Sequence, residues 1–158
     1  SSYAAGFSPV SLVAKGGYYS APASGKMFLG AGASVAGSPN ARLTITEKSL
    51  PVNVVADAVL SSVGVAATTN SVRIASNPSG VTFTTINPKT GTLTGKFSLP
   101  SAEAGKSRSS TFAGIVVPVN GEPVAKGYSL IPKADAANGA ANASERVSGA
   151  MEMKALIR

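Results

Sequence analysis

The chain has 158 residues, 44% of them hydrophobic but only 6% aromatic, with 17 Gly, 10 Pro and a net charge of +7. That length fits one domain at ~100–200 residues per domain, and so many turn-formers argue against a helical bundle. The chain has no Cys and no His, which excludes a thiol nucleophile, a disulfide framework, a Cys/His zinc site, an imidazole base and a Ser-His-Asp triad. The sequence reads as a protein that is not an enzyme and uses no cofactor or metal.

Residues 1–39 are rich in Gly, Ala, Ser and Tyr and read as an N-terminal arm with one or two short strands. Short apolar pieces occur at Val10–Val13 and Met27–Leu29, with Gly16-Gly17 and Ser24-Gly25 as turns between them. Residues 40–158 read as the body of the domain. Arg42–Thr46 alternates with period 2, the pattern of a half-buried strand. Val52–Leu60 is a nearly continuous apolar run, either a buried strand or a short helix after Pro51. Val63–Ala67 and Ser71–Ala75 are short β pieces.

Gly80–Leu99 is the best-defined unit. Val81–Ile86 leads into Asn87-Pro88-Lys89-Thr90-Gly91, and Thr92–Leu99 returns. Pro88 presets φ for the turn and Gly91 supplies a positive φ, so a hairpin is predicted. Leu93, Gly95, Phe97 and Leu99 share one face. Ser110–Pro118 and Val124–Ile131 are further strands joined by Asn120-Gly121-Glu122-Pro123. Lys133–Arg146 reads as a long polar excursion. Val147–Leu156 is the last strand, with Val147, Gly149, Met151 and Met153 on one face.

Gly95, Gly114, Gly127 and Gly149 each fall inside a predicted strand. Glycine there marks a bend, a bulge or a close backbone approach. One per strand in four successive strands predicts an all-β, antiparallel, strongly curved sheet forming a small barrel or sandwich.

The run Asn87–Phe97, with Phe112-Ala113-Gly114-Ile115-Val116, Lys126-Gly127-Tyr128-Ser129-Leu130 and Val147–Met153 after it, resembles a β-rich repeat or C-terminal domain. That domain is common in large secreted and surface proteins of Verrucomicrobia-type bacteria. The resemblance spans about residues 72–156. Pro118 stands where the family often has Gln, and Ser129 where an aromatic is common. The resemblance implies an exported, surface-associated β module and supplies no catalytic residues.

Charged residues make up 13% of the chain, against ~25% in typical soluble domains. A surface rich in small polar residues suits extracellular proteins and proteins that pack against their own copies. The Ser1-Ser2 start looks like an end left by leader removal. No stretch reaches the ~18 apolar residues of a transmembrane helix. A secreted, cell-surface location is expected.

The acids do not cluster. Glu103 and Glu122 fall on neighbouring predicted loops, near enough to be weighed as a glycosidase pair, and read more simply as solvated charges. No calcium loop, phosphate loop or dinucleotide fingerprint occurs. The positive charge is diffuse, densest at Lys106 and Arg108, and not interleaved with aromatics. Specific nucleic-acid binding is not expected; contact with anionic polysaccharide fits better. Tyr18 and Tyr19 are the candidates for stacking on a sugar, against the plainer reading of one ring packed inward and one at an edge.

The arm carries Phe7, Val10 and Leu12 among small residues. It is too short to form a core. It can complete its own sheet, or add a strand to the open edge of a neighbour. The functional expectation is a non-catalytic structural protein that self-assembles into a surface filament or sheath, with copies of itself as partner. The alternative is a carbohydrate-binding or adhesive module of a larger surface protein.

Overall fold

The computed structural model describes residues 17–23, 26–33, 36–47, 50, 53–61, 71–100, 107–134 and 141–156. These form β1 (Ala41–Thr46), β2 (Val54–Ser61), β3 (Ser71–Ser76), β4 (Thr82–Asn87), β5 (Thr92–Pro100), β6 (Ser107–Val119), β7 (Glu122–Ala134) and β8 (Ala141–Ala155). All pair antiparallel in one sheet of order β3-β2-β1-β8-β7-β6-β5-β4, curled into a nearly closed barrel. The expected all-β, strongly curved sheet is what forms.

Period-2 patterning decides which face turns inward. Ala41, Leu43 and Ile45 on β1 are buried, as are Val54, Ala56, Ala58 and Leu60 on β2. Leu93, Phe97 and Leu99 on β5, Phe112 and Val116 on β6, Ala125 and Ile131 on β7, and Met151 and Met153 on β8 complete one core. The long β5–β8 ladders carry most of the wall. The four strand glycines all lie on its inner face. A Cβ at Gly95 would stand 2.3 Å from Cζ of Phe112, and one at Gly114 would stand 2.0 Å from Cε of Met151. The missing side chains are therefore the space that two large ones occupy, which lets a narrow barrel hold them at normal packing density. Phe112, seated over Gly95, meets Phe83 edge-on at 5.6 Å between centroids.

The Asn87–Gly91 hairpin turn forms as predicted. The Asn87 side-chain oxygen accepts from the backbone N–H of Lys89 at 3.0 Å, and Gly91 takes φ +73°. Asn120 and Gly121 both have positive φ, the two-residue Asn-Gly turn whose twist matches its flanking strands.

Of the two alternatives for Val52–Leu60 the strand forms, over Val54–Ser61, with Val54, Ala56, Ala58 and Leu60 turned into the core between β1 and β3. Two expectations need correction. The polar stretch from Lys133 to Arg146 is not one excursion. β7 runs on to Ala134, and β8 begins at Ala141; ladder hydrogen bonds extend both strands without needing apolar side chains. Met27–Leu29 is no strand: Phe28–Gly30 forms a single 3-10 turn that buries Phe28 and Leu29. The predicted strand Val63–Ala67 lies outside the described residues.

That turn closes one end of the barrel. Phe28, Leu29 and Ala31 belong to the same core as the strands, so the core draws on the segment read as arm. Asn40 fastens this plug. Its buried amide donates to the carbonyls of Gly32 and Leu60, both at 2.9 Å, and accepts from the Leu60 N–H at 2.7 Å. Its backbone carbonyl accepts from Leu156 N–H at 2.8 Å. One side chain thus ties the plug to β2, and its backbone holds the end of β8.

Candidate functional site

Among the described residues, two places depart from a sealed, self-contained wall: the plugged end and the line where the sheet of described strands does not close.

At the plugged end, the paired tyrosines separate. The Tyr19 ring lies on the bare backbone of Gly91, where a Cβ would stand 3.0 Å from the ring. Its hydroxyl donates to the Pro88 carbonyl, and partial burial raises the phenol above its ordinary pKa. Tyr19 is thus fastened to the β4–β5 turn. Tyr18 is 92% exposed. Behind Tyr19 lies an open, mainly apolar hollow of about 240 Å³ between Met27, Leu29, Val116 and Pro123, with Lys26 on its lining. Ser20 also lines it, and no carboxylate does.

The second place is the seam between β3 and β4, the two ends of the sheet. These strands are neighbours in sequence, joined through Asn77–Val81, yet they do not pair. Their Cα traces stay more than 8 Å apart along nearly all their length. Asn77 holds the connection, donating to the Val81 carbonyl at 2.9 Å and accepting from the Val81 N–H. The Ser79 carbonyl accepts from Ser98 N–H at 2.9 Å, which fixes the linker to β5. Val72 and Ile74 on β3, with Phe83 and Ile86 on β4, point toward the core but are only half-buried. The register sets each of them opposite a buried or glycine position on the neighbouring strand: Val72 on Leu60, Ile74 on Ala58, Phe83 on Gly95 and Ile86 on Leu93. Among the described residues the seam therefore leaves backbone donors and acceptors along two edges without a partner strand, with an apolar floor between them. Each such edge is a template for pairing with another strand.

The outer wall carries charge in cross-strand pairs. Arg42 Nε meets Asp57 Oδ1 at 2.6 Å, with a second contact of 3.0 Å from Arg42 Nη2 to Asp57 Oδ2. This guanidinium holds Asp57 below the usual carboxylate range. Lys126 pairs with Glu152 across β7 and β8. Ile115 and Tyr128 are exposed apolar residues on β6 and β7.

The other residues singled out in the sequence fall as follows. Phe7, Val10 and Leu12 lie outside the described residues, as do Glu103 and Lys106. Glu122 opens β7 at the end of the barrel opposite the β5–β6 connection that contains Glu103. The thirteen residues of β6 separate those ends, roughly 40 Å at ~3.3 Å per residue. The topology thus separates the loops that sequence order made neighbours. Arg108 is turned to the protein, donating to the Pro132 carbonyl at 2.9 Å. No group of three or more acids able to hold a metal occurs among the described residues. No helix there is long and apolar enough to cross a membrane. Asn40 was not singled out by sequence reasoning; an Asn before an alternating strand reads as an ordinary turn residue.

Comparison with protein-family models, curated proteins and solved structures finds no match to this chain.

Proposed function

We propose that this protein is a non-catalytic structural subunit that self-assembles outside the cell, in a surface filament or sheath, by strand exchange through its N-terminal arm. The observation that carries this reading is the unpaired β3–β4 seam with its half-buried apolar floor. An added strand satisfies main-chain groups along an edge and covers apolar side chains at once. A head-to-tail contact of that kind that does not close generates a filament. The low charge of the chain and its resemblance to a module of secreted surface proteins support the same reading.

Negative-stain electron microscopy with light scattering on one sample tests it. Regular filaments are expected from the full chain, and monomers after deletion of residues 1–14. Monodisperse monomers of the full chain would overturn assembly; filaments from the truncated chain would overturn the arm's part in it.

A second reading is favoured by one observation: Tyr18, next to the packed Tyr19, presents nearly its whole ring to solvent. A carbohydrate-binding or adhesive module would use that ring as a platform, with diffuse positive charge drawing an anionic polysaccharide. Saturable glycan binding lost in Tyr18→Ala is the result it requires. Tyr19, already packed and hydrogen-bonded, would affect stability before binding.

A further inference from the structure

We propose that the β3–β4 seam is the acceptor groove for residues Val10–Lys15 of a second copy of this chain. This rests on the assembly reading above and names its site.

The fit is one of length, pattern and reach. β3 and β4 each have six residues, and so does Val10–Lys15. Pro9 before it cannot donate to a ladder, and Gly16-Gly17 after it mark a turn, so the segment is delimited at both ends. In an extended chain Val10, Leu12 and Ala14 share one face, while Ser11, Val13 and Lys15 share the other. The first set matches the apolar floor of Val72, Ile74, Phe83 and Ile86. The second matches a wet outer wall. A strand seated between two others needs about 10 Å, twice the ~4.8 Å spacing of neighbours. The separation of β3 from β4 beyond 8 Å along nearly all their length excludes a direct ladder between them.

Reach decides whose segment fills it. Gly17 is held at the rim of β6, where even a Cβ would strike Pro118 at 2.3 Å. The seam lies three strand positions from β6, past β5 and β4, roughly 14 Å around the sheet at ~4.8 Å each. From Gly17 to Lys15 is two Cα steps, at most about 7 Å. While Gly17 stays on Pro118, a chain's own Lys15 cannot sit in its own seam. Val13, four Cα steps away at about 14 Å, is the first of its residues that can, so only a second copy can seat the whole of Val10–Lys15 there. A second copy has no such tether.

The test is cross-linking, made clean by a chain with no native cysteine. Full-length Leu12→Cys and Ile86→Cys chains carrying different tags are mixed and mildly oxidised. Disulfide-linked heterodimers are expected at least tenfold above a control mixture of Leu12→Cys with Ile115→Cys on the outer wall. Val13→Cys with Thr82→Cys, both assigned to the outer face, serves as a second pair should Ile86→Cys misfold. The double variant Leu12→Cys/Ile86→Cys in one chain is expected to give a covalent ladder. An internally linked monomer would overturn the proposal in favour of the chain's own arm. Filaments from the unmodified chain without excess cross-linking from either pair would overturn the seam alone and leave assembly standing. Absence of any multimer would overturn both.

Discussion

The β5–β8 wall and the β3–β4 seam are built from the same kinds of residue to opposite effect. In the wall, each inward side chain has a strand on either side, and glycines are cut into the sheet to hold Phe112 and Met151. At the seam, Val72, Ile74, Phe83 and Ile86 have the same inward aim but a strand on one side only, and stay half-buried. The difference lies in neighbours, not in hydrophobicity. Fold stability belongs mainly to the wall, while the seam holds unsatisfied binding capacity.

Substitutions can break this contrast. The largest effect is expected for Gly127→Ala. Its Cβ would stand 2.0 Å from the Ala113 carbonyl oxygen and 2.5 Å from the Gly114 Cα. Backbone cannot step aside as a flexible side chain can, so the cost should exceed the usual ~1–3 kcal/mol of overpacking, read as loss of a cooperative urea transition. Next is Phe112→Ala, which empties the pocket over Gly95; a loss of about 3–5 kcal/mol is expected in the same experiment. Phe83→Ala at the seam should cost clearly less than Phe112→Ala, because its ring is already partly in water. Equal losses would mean that the seam is as closed as the wall.

The smallest effect is expected for Asp57→Asn, on the outer face away from both. Arg42 depresses the Asp57 pKa in the folded state. The pair's contribution is therefore present above the unfolded aspartate pKa and lost as pH falls through the folded value. Thermal melts of wild type and Asp57→Asn should differ slightly at neutral pH and converge in acid. A gap that widens in acid would contradict the pairing.

Much of the wall was legible in the residues. Alternation gave the inward faces of β1, β5 and β8, and the glycine in each of four strands gave the curvature. The ends of β7 and β8 were not legible, because a ladder can carry polar residues wherever a partner strand supplies the hydrogen bonds. Neither was the plug: Phe28 and Leu29 are too few to show a period, and their burial depends on a barrel end assembled from strands far along the chain. The seam has no signature in sequence at all. β3 and β4 follow each other in sequence across the short Asn77–Val81 linker, the spacing that the two strands of a hairpin also have. Only the sheet order shows that each pairs outward, away from the other.

The barrel is joined not at the seam but by the ladder between β1 and β8, with Leu43 opposite Met153 and Ile45 opposite Met151. That ladder divides the sheet into two meanders, β1–β3 and β4–β8, each locally connected. The contacts that unite them span more than a hundred residues, and such long-range closure is slow. A growing chain can form either meander early, yet the first must wait, with the inner face of β1 bare, until the last strand of the second is made. The C-terminal strand thus sets the moment at which this protein becomes one folded unit, and a chain cut short before Ala141 would leave two open sheets linked by Asn77–Val81 but without the ladder that closes them into one barrel.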